Sequence, residues 1–198
     1  MLNKIAFLTI LFTVTLTGLL ASACTAYPVP TATAHIPAIP ASAEAATPIP
    51  GEPDWFGYAL EDAQTGETFR MNDLAGKVVL IQAFAEWCSN CAYQENEMRE
   101  MAKALGNPAS LVLVSLDTDL NENKASLKKY ADYFDFGWRF AVSPLEVSRA
   151  LGNLYSAEYI NPPLEPMLII DRNGAVYSLP YGLKYADQLK NTLEQYLQ

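Results

Sequence analysis

The chain has 198 residues, of which 51% are hydrophobic, so a single domain with a full hydrophobic core is expected. Its 13 basic and 22 acidic residues give a formal net charge of −9, which argues against nucleic acid or an anionic lipid surface as a partner. The single histidine, His35, lies in a Pro/Ala/Thr-rich stretch far from the cysteines. This position argues against a Cys–His or Ser–His–Asp catalytic centre and against a histidine-containing zinc or copper site, and we expect no metal and no cofactor.

Residues 1–23 are typical of a targeting segment. Lys4 supplies a positive charge, residues 5–20 form an apolar stretch, and the small residues 21–23 form a cleavage site. Cys24 follows directly, and this pattern resembles a bacterial lipoprotein signal, although Leu20 lies one place further upstream than the usual leucine. We expect a lipid on Cys24 that anchors the protein outside the cytoplasmic membrane. The alternatives are ordinary cleavage after Ala23, which would release the protein on the same side, and an uncleaved signal anchor.

Residues 24–53 form the predicted linker. Seven of the 13 prolines lie between residues 25 and 53, with alanine and threonine between them, which favours an extended polyproline-like spacer without a packed core. Lipidation of Cys24 would leave Cys88 and Cys91 as the remaining thiols among the three cysteines. The folded domain is predicted to span residues 54–198.

The predicted domain begins with a hairpin and a buried strand. Residues 55–60 and 68–71 have the pattern of two short strands around a Gln-Thr-Gly turn. The apolar run 78–84 predicts a buried strand. It is followed by Trp87, by a Cys-x-x-Cys pair and by a predicted helix over residues 92–105.

A cysteine at the start of a helix is exposed to unpaired backbone N–H groups and to the positive end of the helix dipole. Both favour the thiolate, so Cys88 is the predicted nucleophile, with a pKa below that of a free thiol. Cys91, three residues further on, can close a disulfide on Cys88 and release a bound substrate thiol. The alternatives for the pair are a permanent structural disulfide or a metal clip, but so short a loop would constrain the unfolded chain little.

The remaining elements alternate between strand and helix patterns. Ser143, Pro144 and Glu146 form a predicted helix start, with the serine as N-cap and the helix ending at Leu151-Gly152. The other predicted elements are a strand over 111–116, a helix over 121–134, a strand over 167–170, a turn over 171–174, a strand over 175–179 and a last helix through 185–196. This order predicts an α/β fold with a central mixed β-sheet flanked by helices.

The segment Phe84-Ala85-Glu86-Trp87-Cys88-x-x-Cys91 resembles the active-site segment of thioredoxin-fold proteins. Together with the export features, the chain resembles the membrane-anchored thiol–disulfide oxidoreductases of the TlpA/ResA-like redoxin family over residues 54–198. The resemblance implies a thioredoxin-like fold with an N-terminal β-hairpin extension and a redox disulfide between Cys88 and Cys91. It further implies protein disulfide or dithiol clients, such as apocytochrome c or copper-centre assembly proteins, and a membrane electron donor that re-reduces the enzyme.

The resemblance also implies a substrate-binding surface. In this family a cis-proline directly before a core strand faces the cysteines, and its neighbours pair with a bound substrate strand. Pro166 suits that register better than Pro162 or Pro163, so Trp87, Glu165 and Pro166 are the predicted substrate-binding residues. The chain departs from the family pattern at a few nearby positions, namely Gln82, Asn90, Asn96 and Met167.

The acidic residues Glu86, Glu95 and Glu165 should oppose the thiolate of Cys88. A less stabilised thiolate makes the dithiol couple more reducing, which favours a reductase over a disulfide-forming oxidase. Two other functions stay open. A thiol peroxidase is disfavoured because Ile81 and Ala85 replace the proline and threonine of the peroxidatic motif. A Cu(I)-handling protein would bind the metal through two soft thiolates.

Overall fold

The structure is a computed structural model that describes residues 53–198. The predicted signal segment 1–23, the lipidation site Cys24 and the linker up to residue 52 lie outside the described residues. Within residues 53–198, no helix combines the length and the apolar character that crossing a membrane requires.

A mixed five-stranded sheet forms the centre of the fold. A small antiparallel hairpin of β1 (Leu60–Glu61) and β2 (Thr68–Phe69) precedes it. The central strands are β3 (Val78–Phe84), β4 (Leu111–Asp117), β5 (Arg139–Val142), β6 (Met167–Ile170) and β7 (Val176–Ser178), in the order β5-β4-β3-β6-β7. β4 runs parallel to both β3 and β5, whereas β6 is antiparallel to β3 and β7.

Four α-helices cover this sheet: α1 (Ser89–Ala104), α2 (Lys124–Phe134), α3 (Leu145–Leu154) and α4 (Ala186–Leu197). Every residue of β3 is buried, as expected for a central strand covered on both faces. Its side chains alternate between two cores: Val78 and Leu80 pack with α1 and α4, while Val79 and Ile81 pack with α3 and the N-terminal segment. The predicted thioredoxin-like α/β fold with a mixed central sheet is therefore confirmed.

The predicted hairpin is present, but its strands are shorter than expected. Residues Asp54–Gly57 and Met71–Leu74 form 3₁₀ turns instead of strands. Trp55 and Phe56 are buried in the core from within the first of these turns. The apolar side chains of Trp55 and Phe56 therefore reflect burial of a turn rather than of an extended strand.

Several boundaries in the second half also differ from the predictions. β5, with only four residues, was not predicted. Ser143 does not cap α3; its hydroxyl instead accepts a hydrogen bond from Ser148 at 2.7 Å, and Pro144 occupies the N-cap position. The helix also continues past Gly152 to Leu154, since Gly152 lacks the positive φ of a helix-ending glycine.

Candidate active site

The two cysteines lie at the junction of β3 and α1. Cys88 is the N-cap residue of α1, with an extended backbone, and Cys91 lies in the first turn of the helix. The two residues form a disulfide, with their Cα atoms 5.2 Å apart. The backbone N–H of Cys91 donates to Sγ of Cys88 at 3.2 Å, so the Cys88 sulfur takes the place that a capping oxygen occupies in other helices. In the reduced protein this contact favours a thiolate at Cys88.

The sulfur of Cys91 has a different environment. Cys91 is fully buried, and its Sγ lies 3.3 Å from the carbonyl oxygen of Pro162. Once the disulfide is reduced, a thiol at Cys91 can donate a hydrogen bond to this carbonyl, which favours the protonated form. Gln82 lies beneath the helix turn and donates to the Cys91 carbonyl oxygen at 3.4 Å, while its own Oε1 is buried with no hydrogen-bond donor among residues 53–198. The two cysteines are therefore held in environments that favour opposite protonation states.

Residues from the loop after β4 hold the segment that precedes Cys88. Both carboxylate oxygens of Glu122 accept from the backbone N–H of Glu86, at 3.0 and 2.8 Å. Asp119 accepts from the indole N–H of Trp87 at 2.7 Å, and this indole side chain is 60% exposed. Trp87 thus presents an apolar surface to solvent beside the cysteines, in a fixed orientation.

The carboxyl groups of this loop differ in their surroundings. Burial raises the pKa of Asp117 to about 8, and burial also raises the pKa of Glu122. Hydrogen bonds from Asn121 and Trp87 lower the pKa of Asp119. The sequence analysis did not identify these residues as part of the site. The sequence could have indicated them, because Asp117 ends β4 and the cysteines follow β3. The carboxyl ends of two neighbouring parallel strands meet at the same edge of a sheet.

Glu95 lies one helical turn after Cys91 and is completely buried. The hydroxyl of Tyr130 donates to its Oε2 at 2.6 Å, while no donor in the described part of the chain, residues 53–198, reaches its Oε1. Burial raises the pKa of Glu95 to about 8. Glu95 is therefore protonated at neutral pH, and the expectation that its negative charge opposes the Cys88 thiolate is wrong at that pH.

Glu165 and Pro166 form the turn that leads into β6. Pro166 pairs with the active-site strand, since its carbonyl oxygen accepts from the N–H of Ala83 at 3.1 Å. Glu165 is buried with a left-handed backbone (φ 51°), and burial raises its pKa. Within residues 53–198, no hydrogen bond joins either residue to a sulfur, and the hydrogen-bonding atom that faces Cys91 Sγ belongs to Pro162.

Lys184 is a buried cation that the sequence analysis did not identify. Its ammonium group donates to the carbonyl oxygens of Glu165 and Gly182, at 2.5 and 2.6 Å. Burial lowers the pKa of Lys184 to about 8, an effect that the nearby charge of Glu165 opposes. Gln94 of α1 fixes the same residue from the other side: its Oε1 accepts from Lys184 N at 2.8 Å, and its Nε2 donates to Lys184 O at 2.9 Å. The turn before β6, the segment before α4 and the active-site helix are thus joined through Lys184.

Comparisons with known proteins agree with this geometry. A model of the Redoxin family matches residues 28–195. The thiol–disulfide oxidoreductase ResA of Bacillus cereus is 26% identical over 133 residues, which cover 67% of this chain and 69% of that protein. The thioredoxin-like protein YneN of Bacillus subtilis is 20% identical over 130 residues, covering 66% of this chain and 71% of that protein.

Among solved structures, a thiol:disulfide interchange protein from Chlorobium tepidum superposes with a TM-score of 0.62 at 19% identity, covering 77% of this chain and 99% of that one. That likeness concerns the fold, and it agrees with the mixed sheet and the helix positions described above. The chain belongs to the redoxin family and is a thioredoxin-fold thiol–disulfide oxidoreductase.

Proposed function

We propose that Cys88 and Cys91 form the catalytic dithiol of an exported reductase that acts on protein disulfides. The observation that carries this proposal is the difference between the two sulfurs. Cys88 Sγ accepts a backbone N–H at a helix N-terminus, whereas the Sγ of Cys91 is buried against the Pro162 carbonyl. This difference supports Cys88 as the attacking thiolate and Cys91 as the resolving thiol.

In the proposed reaction, the thiolate of Cys88 attacks one sulfur of a client disulfide. That bond breaks, a mixed disulfide forms, and the second client sulfur leaves as a thiolate that takes up a proton. Cys91 then loses its proton and attacks Cys88 Sγ, which releases the other client thiol and leaves the enzyme as the disulfide. Two electrons pass to the client, so a membrane electron donor must return two electrons, and Cys91 takes up one proton as the Cys88 thiolate is restored.

Trp87, Glu165 and Pro166 are proposed to contact the client. The exposed indole of Trp87 supports this role, and Pro166 is supported by its pairing with β3 directly below the cysteines. The charge around the site supports the reducing direction, because the ionised Asp119 lies against Trp87 and the carboxyl of Glu122 lies against Glu86. Nearby negative charge disfavours the thiolate of Cys88. The reduced form is then less stable, so the couple is more reducing.

We further propose that residues 1–23 direct export, that Cys24 carries a lipid, and that residues 24–53 hold the domain away from the membrane. The segment pattern of the sequence supports this arrangement. Replacing Cys24 with serine should move the protein from the membrane fraction to the soluble fraction or leave the signal uncleaved. Unchanged mass and location would show that Cys24 is an ordinary residue.

The test of the catalytic assignment compares Cys88→Ser with Cys91→Ser. The reduced wild-type protein should reduce insulin disulfides, and Cys88→Ser should abolish this reaction. Cys91→Ser should instead accumulate a mixed disulfide with the client, which can be isolated from cells and identified. Mixed disulfides that form in Cys88→Ser but not in Cys91→Ser would reverse the assignment. Consumption of peroxide faster than of disulfides would favour a peroxidase.

A further inference from the structure

The loop between β4 and α2 holds the two residues that precede Cys88. Glu122 accepts from the backbone N–H of Glu86 with both carboxylate oxygens, and Asp119 accepts from the indole of Trp87. The N–H of Thr118 in the same loop donates to the carbonyl oxygen of Phe84 at 3.0 Å. The orientation of the chain between β3 and Cys88 therefore depends on where this loop places its carboxyl groups.

The position of Asp117 disfavours the charged form of its carboxyl group. Asp117 is completely buried at the end of β4, and its Oδ1 accepts from the N–H of Asp119 at 2.8 Å. Its Oδ2 is also buried, and no donor among residues 53–198 reaches it. The side chain of Asp117 lies within hydrogen-bonding reach of the Glu122 carboxyl group. Two ionised carboxylates at that separation repel each other, whereas a single proton between them forms a hydrogen bond and satisfies the unpartnered oxygen.

We propose that Asp117 carries a proton which it shares with Glu122, and that this protonated pair positions Glu86 and Trp87 ahead of Cys88. Asp117 and Glu122 touch neither sulfur, so they are positioning residues. The role of the held segment in catalysis rests on the proposed function, whereas the shared proton does not. Loss of the proton would place two negative charges side by side, and Glu122 would then move away from the N–H of Glu86.

Within residues 53–198, no lysine or arginine forms an ion pair with either carboxyl group of the pair. The titratable groups that act on it are Glu86 from the segment before α1, Asp119 from the same loop, and Tyr130 from α2. None of the salt bridges within residues 53–198 includes Glu86, Asp117, Asp119 or Glu122. No group of three His, Cys, Asp or Glu side chains in this part of the chain has the geometry of a metal site. The pair therefore depends on its proton.

The ionisation of Asp117 agrees with a shared proton at neutral pH, because burial raises the pKa of Asp117 to about 8. Burial also brings the pKa of Glu95 and of Lys184 to about 8. An experiment on the pair must therefore separate three groups that titrate together. It must also exclude titration of the cysteine thiols, and the oxidised protein meets this condition because the cysteines do not titrate while they form a disulfide.

The test follows the Glu86 backbone amide and the Trp87 indole by ¹⁵N NMR between pH 6 and pH 9.5, in the full chain purified in its oxidised form. In the wild type, both signals should shift together in one transition near pH 8. In Asp117→Asn the side-chain amide can donate to Glu122 and has no proton to lose, so the transition should disappear while the pH 6 spectrum stays close to that of the wild type. The transition should persist in Glu95→Gln and in Lys184→Met, and also in Asp132→Asn, which alters an exposed carboxylate of α2.

A second variant covers the case in which Asp117→Asn does not fold. In Glu122→Gln the side-chain oxygen still accepts from Glu86 and the amide donates to an ionised Asp117, so the transition should move well below pH 8. A transition near pH 8 that survives in Asp117→Asn or Glu122→Gln, or that is lost in Glu95→Gln or Lys184→Met, would overturn the proposal. Because the oxidised protein performs no reaction in this test, its outcome is independent of the insulin assay.

Discussion

The sulfur of Cys88 accepts a backbone N–H, whereas the sulfur of Cys91 faces a carbonyl oxygen. In the reduced protein these contacts should give Cys88 the larger thiolate fraction. We expect iodoacetamide at pH 7 to modify Cys88 at least about tenfold faster than Cys91, because the thiolate is the reactive form and Cys91 is also fully buried. Peptide mass spectrometry after short reaction times measures the two rates. Equal rates, or faster modification of Cys91, would contradict the assignment of roles.

Glu165 offers a second test at the level of single residues. Its buried carboxyl group and the ammonium group of Lys184 influence each other. Glu165→Gln removes a negative charge and leaves the charge of Lys184 uncompensated, so it should lower the pKa of Cys88. A modest shift would raise the thiolate fraction at pH 6 about threefold, which the absorbance of the thiolate at 240 nm measures. Glu158→Gln, an exposed acid in a neighbouring 3₁₀ turn, is the control and should have no effect. An unchanged pKa of Cys88 in Glu165→Gln would mean that Glu165 does not influence the ionisation of the Cys88 thiol.

At the scale of the secondary-structure elements, Gln94 joins α1 to the segment before α4. Its side chain is completely buried and satisfies both the N–H and the carbonyl oxygen of Lys184. Gln94→Leu keeps a similar volume but leaves two buried backbone groups without partners, which should lower the free energy of unfolding by about 2–4 kcal/mol. Urea denaturation of the oxidised protein measures the change. The matched control, Gln195→Leu on the exposed face of α4, should change it by less than about 0.5 kcal/mol. Equal effects of the two variants would contradict the role of Gln94.

The elements differ in how well their sequences predicted them. Largely apolar runs identified β3, β4 and β6, since central strands buried on both faces are rich in apolar residues. β5 was missed because its four residues begin with Arg139 and lack the continuous apolar run of the equally short β6. The N-cap of α2 is Asn123, whose side chain accepts from two backbone N–H groups. This capping signal was present in the sequence.

The site was predictable only where its residues are neighbours in the chain. The strand, the tryptophan and the cysteine spacing together indicated Cys88 and Cys91. The contacts of Pro162 with Cys91, of Glu122 with Glu86, and of Asp119 with Trp87 join residues that are 71, 36 and 32 positions apart. Polar side chains in loops follow no period, so their meeting depends on how the β4–α2 loop and the turn before β6 are placed by the whole sheet.

At the scale of the whole molecule, the buried carboxyl groups predict how stability depends on pH. The folded-state pKa of both Glu95 and Asp117 is raised to about 8. A raised pKa means that the stabilisation is complete below the unfolded-state pKa and is lost as the pH rises through the folded-state value. The free energy of unfolding of the oxidised protein should therefore fall between pH 5 and pH 7.5, by up to about 1.4 kcal/mol per pH unit for each such group.

Other groups do not reverse this trend in the same window. Lys184 has a folded-state pKa lowered to about 8, so its contribution changes only above that pH, where stability rises because the folded protein loses this proton while the unfolded chain still holds it. Urea denaturation at pH 5, 6 and 7.5 measures the trend, and Glu95→Gln should reduce its slope. A flat or rising stability over this range would contradict the assigned protonation states.

The complete burial of Cys91 has a consequence for turnover. In the proposed reaction, a partner protein exchanges its disulfide through Cys88, because Cys91 is completely buried whereas Cys88 keeps 4% of its surface exposed. In the proposed cycle, a client and an electron donor would therefore compete for this sulfur and would not bind the enzyme together. The two half-reactions must alternate in a ping-pong sequence. Because each partner produces the form of the enzyme that the other one uses, neither half-reaction can occur twice in succession.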